Sequence, residues 1–269
     1  MIVDAHQHFW DPSSAEYPWL REEDVALQRR FGPEDLEPLL RANGVTGTVV
    51  VQARGSLDET RTLLEIAART PFVLGVVGWI DLTDGRAAQV LAGLGDKLVG
   101  LRHQVHDEPD PAWLLRSDVQ RGLAAVGARG LAFDLLVRTR ELPAAIQTVR
   151  RHPDVRFVLD HVAKPPLRSG DLALWADGVA ALADLHNVTC KLSGLHTEAA
   201  PGANLMPTLE QALSWFGPER CLFGSDWPVC LVATDYAGAL ELVRGAVAER
   251  NRETVMAATA IRTYGLQIA

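Results

Sequence analysis

Eight short apolar runs, each followed by a longer amphipathic stretch, constrain this chain more than any other feature. The runs are Ile2–His6, Thr46–Gln52, Phe72–Trp79, Val99–Gln104, Leu131–Leu136, Arg156–His161, Val188–Ser193 and Cys221–Asp226. Several, such as VVVQ, FVLGVVGW and RFVLD, are apolar almost without interruption, as parallel strands buried on both faces are. Helical periodicity fills the gaps over Pro33–Asn43, Leu57–Arg69, Asp84–Leu94, Ala112–Gly127, Leu142–Arg151, Leu172–Leu185 and Thr208–Phe216, and a terminal helical region runs from Thr234 to Tyr264. Local punctuation agrees: Pro33 opens a helix, Gly44 stops one, and Thr208 with Gln211 reads as a capping box. Eight such units in 269 residues fit one α/β domain, a (β/α)₈ TIM barrel over 1–269, with no repeat or linker to divide it. A doubly wound open sheet is the competitor, but it wants a glycine-rich phosphate turn after the first strand, where this chain has His-Gln-His.

Composition narrows the function classes. A net charge of −8 without any basic block argues against nucleic acid or an anionic membrane surface as the main partner. No apolar run approaches the about 18 residues that a membrane span needs, and the first residues, with Asp4 and two histidines, do not read as a signal peptide. Cys190, Cys221 and Cys230 are too few and too irregularly spaced for a disulfide framework or structural zinc, so they are expected as core thiols in a reducing cytoplasm.

In a barrel, functional groups gather at the C-terminal ends of the strands. His6 and His8 stand i, i+2 at the end of the first strand, so their side chains point the same way and can converge on one ion or substrate. Other strand ends add Gln52, Arg102, His103, Asp134, His161, Lys164, Lys191, Asp226 and Trp227. The sharpest set is His6, His8, His161 and Asp226, whose imidazoles and carboxylate suit a borderline divalent ion such as zinc. The bland alternative is ordinary buried hydrogen bonding under the rim. Arg102 and His103 read as an electrophilic pair for a carbonyl or carboxylate oxygen, with a surface ion pair to Asp107 or Glu108 as the alternative. Lys191 is expected to aim an ammonium at the barrel mouth if it shares the inward face with Ser193, and Asp134 to be an internal partner for one of these cations. Trp227 is either an apolar wall beside the acid or a packing residue. His152 and His186 read as surface residues.

Taken together, DAHQHFWDP (Asp4–Pro12), YPWL (Tyr17–Leu20), GLRHQVHDEPD (Gly100–Asp110), LDHVAKPP (Leu159–Pro166), CKLSGLHTEA (Cys190–Ala199) and LFGSDWPVC (Leu222–Cys230) resemble the lactonase branch of the amidohydrolase superfamily. The likeness runs along essentially the whole chain and is strongest to the bacterial fuconolactonase and rhamnonolactonase group. It implies a barrel that opens a sugar lactone to the sugar acid. It also implies a divalent metal held by the positions that His6, His8, His161 and Asp226 match, although some relatives in that branch work without a tightly bound one. The end of the fourth strand offers Arg102-His103 and no lysine to carboxylate, which argues against a bridged two-metal centre.

Both lines lead to one mechanistic expectation. Asp226 acts as general base on the attacking water, with or without an ion. Arg102, His103 or His161 polarises the carbonyl, and Gln52, Lys191 and Trp227 orient the ring. Ser225 lies in no Gly-x-Ser-x-Gly elbow, so a serine nucleophile is not expected. The rivals are a lactonase or decarboxylase for a carboxylated aromatic-degradation intermediate, and a non-catalytic sugar-acid or metal-binding barrel.

Overall fold

The computed structural model describes residues 1–268. Its strands are β1 (Val3–Gln7), β2 (Gly47–Val51), β3 (Val73–Gly78), β4 (Leu98–His103), β5 (Ala132–Leu135), β6 (Arg156–Leu159), β7 (Val188–Leu192) and β8 (Cys221–Phe223). They pair in parallel and in chain order, β1 through β8. The sheet closes just beyond β8, where Asp226 N donates to His6 O at 2.8 Å and His8 N donates to Trp227 O at 2.7 Å. The helices are α1 (Pro33–Ala42), α2 (Leu57–Arg69), α3 (Ala87–Ala92), α4 (Ser117–Ala128), α5 (Leu142–Arg151), α6 (Ala173–Ala183), α7 (Leu195–Glu198), α8 (Met206–Phe216), α9 (Tyr236–Ala246) and α10 (Thr259–Tyr264). This is the (β/α)₈ TIM barrel that the periodicity predicts.

Where boundaries depart from expectation, local chemistry gives the reason. The expected helix over Ala112–Gly127 splits into a short turn, Trp113–Leu115, and α4, because Arg116 between them is extended. Helix α8 begins at Met206 with Leu205 as its N-cap and no capping side chain, so the capping box of Thr208 and Gln211 does not form; Thr208 is buried inside the helix. Strand β6 stops at Leu159 and not at His161, because the backbone turns left-handed there. Strand β8 stops at Phe223 and leaves Asp226 on a turn with φ 57°.

Two apolar clusters hold the barrel. The larger lies between strands and helices and includes Val50, Leu101, Phe133, Phe157 and Phe223. The smaller fills the lower interior with Val3, Ala5, Val49, Val51, Val77, Ala132, Val158 and Leu222, and is plugged from below by Ala257, Ala260, Tyr264 and Leu266.

One irregularity in β1 matters for function. Val3 and Ala5 point into the lower interior, so strict alternation would send His6 and His8 outward. The register against β2 shifts between Asp4 and Gln7, and the bulge turns both histidines inward. The His6 N–H displaced by the bulge is taken up by Asp4 Oδ1 at 3.1 Å.

Candidate active site

Three strand ends, of β1, β6 and β8, converge above the smaller cluster. His6 Nε2 lies 3.1 Å from His8 Nε2. Asp226 Oδ1 is 3.4 Å from His8 Nε2, 3.7 Å from His6 Nε2 and 3.9 Å from His161 Nε2. Each member is held from behind. His8 Nδ1 donates to Val51 O at 2.8 Å, which leaves the Nε2 lone pair facing the centre. His161 Nδ1 pairs with Ser193 Oγ at 2.9 Å. Asp4 Oδ1 accepts from Ser225 N at 2.9 Å and its Oδ2 from Ser225 Oγ at 2.6 Å, which fixes the turn that presents Asp226.

Electrostatics below the centre are tightly paired. Lys191 is fully buried; its ammonium pairs with Asp134, lies 2.9 Å from Asp160 Oδ1 and 3.0 Å from His6 Nδ1. Arg102 Nη1 lies 3.1 Å from Asp160 Oδ2 and 3.3 Å from His6 Nε2, and Nη2 donates to Gln52 O. Tyr264 OH reaches both oxygens of Asp134 at 2.9 Å. Burial would lift Asp160, but Lys191, His6 and Arg102 outweigh it and hold that carboxyl well below its ordinary range. For Asp134 burial wins over Lys191 and raises it to about 6.

The imidazoles are neutral near pH 7. Burial, reinforced by Lys191, pushes His6 well down; burial lowers His8 and brings His161 to about 4. Burial alone would raise Asp226, but the surrounding imidazoles prevail and keep it ionised. His6 has two proton arrangements. With Lys191 donating to Nδ1, its Nε2–H can point at His8; with Nδ1–H turned to Asp160 Oδ1 at 3.4 Å, its Nε2 lone pair faces the centre.

The donor set fits a divalent ion. His6, His8 and Asp226 form one group of potential ligands, and His6, Asp160 and His161 another. Two donors bonded at 2.0–2.1 Å to a tetrahedral zinc stand about 3.3 Å apart. The observed spacings of 3.1, 3.4 and 3.7 Å lie around that value. Neutral imidazoles and an ionised carboxylate are also the ligand chemistry that zinc takes.

A cavity of about 120 Å³ opens above the centre. His8, Arg102, His161 and Asp226 line it, with Trp19, Gln104, His106, Asp107, Lys164, Leu136 and Val229 as further walls. Four residues expected at the substrate sit elsewhere. Lys191 lies beneath the centre, not at the mouth, because its partners Asp134 and Asp160 draw it down. Gln52 is buried, its Nε2 donating to Arg102 O at 3.1 Å, so it braces the arginine. Trp227 packs edge-on to Phe31 with ring centroids 5.3 Å apart. His103 parts from Arg102 because adjacent strand residues face opposite sides. Its ring stacks on Trp113 at 4.0 Å, accepts from Trp79 Nε1 at 3.0 Å and pairs with Glu108 at 2.7 Å.

Asp160 and Asp4 were not among the residues the sequence singled out. Asp160 directly precedes His161 and shares the inward face of Val158, so a strand run on through both would have sent His161 outward; the left-handed turn that begins at His161 brings it inside beside Asp160. Asp4 stands two residues before His6, and only the bulge explains its task.

An eight-stranded parallel barrel with histidines and an aspartate gathered at the C-terminal ends of its strands defines the class, and the chain belongs to the amidohydrolase family, whose model matches residues 3–266. Among particular relatives, an L-fucono-1,5-lactonase of Burkholderia ambifaria is 44% identical over 86% of this chain and 81% of its own length. An L-fucono-1,5-lactonase of Burkholderia multivorans is 40% identical over 98% of this chain and 96% of its own. A crystal structure of an amidohydrolase from Burkholderia multivorans with bound zinc superposes with a TM-score of 0.95 at 38% identity, covering 99% of this chain and 100% of that one. No helix among the described residues is long and apolar enough to cross a membrane.

Proposed function

We propose that this chain, acting as one domain over residues 1–269, hydrolyses a sugar lactone of the L-fucono-1,5-lactone type to the sugar acid. The observation that carries the reading is the convergence of His6, His8, His161 and Asp226 at the base of the cavity. The likeness to two L-fucono-1,5-lactonases supports the substrate class. The buried free thiols Cys190, Cys221 and Cys230 are consistent with a reducing, cytoplasmic place.

His6, His8 and Asp226, with His161 beside them, would hold a divalent ion, zinc by its ligand chemistry. When bound, that ion supplies a Lewis acid and lowers the pKa of a coordinated water. Asp226 is ionised and takes the proton of the attacking water. Arg102, whose guanidinium lines the cavity, stabilises the oxyanion. Gln104, His106 and Asp107 offer partners for ring hydroxyls, while Leu136 and Val229 form an apolar wall suited to the methyl group of a 6-deoxy sugar. Gln52 and Lys191 act through Arg102 and His6 and do not touch the ring.

The test is acid release from L-fucono-, L-rhamnono-, D-galactono- and carboxylated lactones in a weakly buffered indicator assay. Asp226→Asn is expected to lower kcat by about 10²-fold or more while the fold persists. Chelation is expected to abolish turnover and zinc to restore it. Near-normal turnover by Asp226→Asn would remove the base assignment, and activity confined to carboxylated lactones would move the chain to the aromatic-degradation reading.

A further inference from the structure

The segment after β6 runs left-handed for four successive residues, none of them glycine. His161, Val162, Ala163 and Lys164 have φ of 52°, 53°, 58° and 46°. Left-handed backbone is unfavourable for an L-residue, so such a turn persists only where its surroundings dictate it. Here they do. Trp175 Nε1 donates to Val162 O at 2.7 Å, and Lys164 N donates to His161 O at 2.8 Å. Gly194, at φ +64°, leaves bare the space where a Cβ would stand 2.4 Å from His161 Nδ1. Val162 and Ala163 are fully buried, and the two ends of the turn, His161 and Lys164, line the same cavity as Asp226.

Lys164 Nζ lies 2.8 Å from Glu198 Oε1, and Arg138 Nη1 lies 2.9 Å from Glu198 Oε2. Burial would lift the Glu198 carboxyl, yet the two cations outweigh it and hold it below its ordinary value. Within this cluster two cations face one acid, so Lys164 shares its only carboxylate among the described residues with Arg138, on the wall of a cavity whose own acids, Asp107 and Asp226, do not pair with it. The charge has a use after the reaction. Water loses one proton to Asp226 as its oxygen adds to the acyl carbon, the bond from that carbon to the ring oxygen breaks, and the ring oxygen takes the proton from Asp226 to become a hydroxyl. The resulting carboxylic acid loses its proton to solvent, so the site gains one negative charge. Lys164, Trp19 and Val229 are shared with an outer cavity of about 550 Å³ that Arg138 and Arg168 also line, which gives the anion a cationic way out.

We propose that Lys164 receives the carboxylate created by ring opening, exchanging Glu198 for the product, and that the strained turn holds this ammonium in the cavity of His161. The inference rests on the lactone reading and deepens it.

The test is inhibition of wild-type, Lys164→Met and Glu198→Gln enzymes by the free sugar acid, L-fuconate, together with calorimetric titration of that acid, which needs no turnover. Lys164→Met is expected to weaken acid binding about tenfold or more, the worth of one charge-assisted hydrogen bond, and by more than it changes the lactone KM. Glu198→Gln frees the ammonium and is expected to tighten acid binding. Opposite signs from the two partners of one ion pair are not what a structural role produces. Unchanged acid binding in Lys164→Met, or equal changes in acid binding and lactone KM, would overturn the proposal. If no sugar lactone is turned over at all, the lactone reading falls alone. The titration then still decides: loss of acid binding in Lys164→Met supports the carboxylate site, and undiminished binding overturns it.

Discussion

Lys191 places its ammonium nitrogen where its side chain reaches no water, between Asp134, Asp160 and His6. Removing one member of a buried ion group leaves the others uncompensated, typically at a cost of about 3–5 kcal/mol. Lys191→Met is therefore expected to lower stability on that scale, read by chemical denaturation, and to disturb the proton placement on His6. A loss under about 1 kcal/mol would show that the charges reach solvent or rearrange. At this scale the sequence was partly legible. A lysine amid an apolar strand implies a partner, and Asp134 is a natural one. Asp160 was missed although it follows the inward-facing Val158 by two residues, because a strand drawn on to His161 gives the inward place to only one of the two; the left-handed turn from His161 to Lys164, which includes no glycine, lets both enter.

Elements meet the site through their ends. Glu59, in the first turn of α2, uses Oε2 to accept from Ala53 N and Arg54 N, each at 3.0 Å, and so pins the chain that leaves β2. Trp19 Nε1 donates to Ala53 O at 2.6 Å, which hangs one wall of the cavity on the same loop. Burial raises the Glu59 carboxyl from 4.5 to about 7 against those two hydrogen bonds. Between these values the folded chain binds more protons than the unfolded one, so the contribution of Glu59 to stability falls as pH rises from about 4.5 to 7. The shift corresponds to something on the order of 3 kcal/mol across that window. Glu59→Gln keeps an oxygen for both N–H groups, and its thermal midpoint relative to wild type is expected to improve steadily over that pH range. A constant difference between the two proteins would refute the raised carboxyl. Strand and helix cores were readable because apolar periodicity is local. The ends were less so: Thr208 did not cap α8, and β8 halted at Phe223.

Across the whole molecule, a column of polar contacts runs along the barrel axis. Tyr264, at the end of α10 in the floor plug, holds Asp134; Asp134 holds Lys191; and Lys191 reaches His6 at the base of the cavity. The terminal segment thus belongs to the support of the site as well as to the closure of the floor. Tyr264→Phe leaves the shape of the plug but strips Asp134 of its hydroxyl donor, and is expected to cost about 1–3 kcal/mol in denaturation. An unchanged denaturation midpoint would mean that Asp134 finds another donor.

The sequence by itself determined the number and order of the strands, their burial between helices, and the presence of three histidines and an aspartate at strand ends. These follow from short-range periodicity, and a strand end in a parallel barrel has a known place. It also determined that His6 and His8 share a face, because that spacing is a property of any strand. Only the tertiary structure decided which way the face points, through the bulge in β1. Closure likewise decided that Arg102 and not His103 enters the cavity, and that Lys191 supports His6 from beneath. Those outcomes depend on contacts between residues as far apart as His6 and Lys191, which touch only once the barrel has closed.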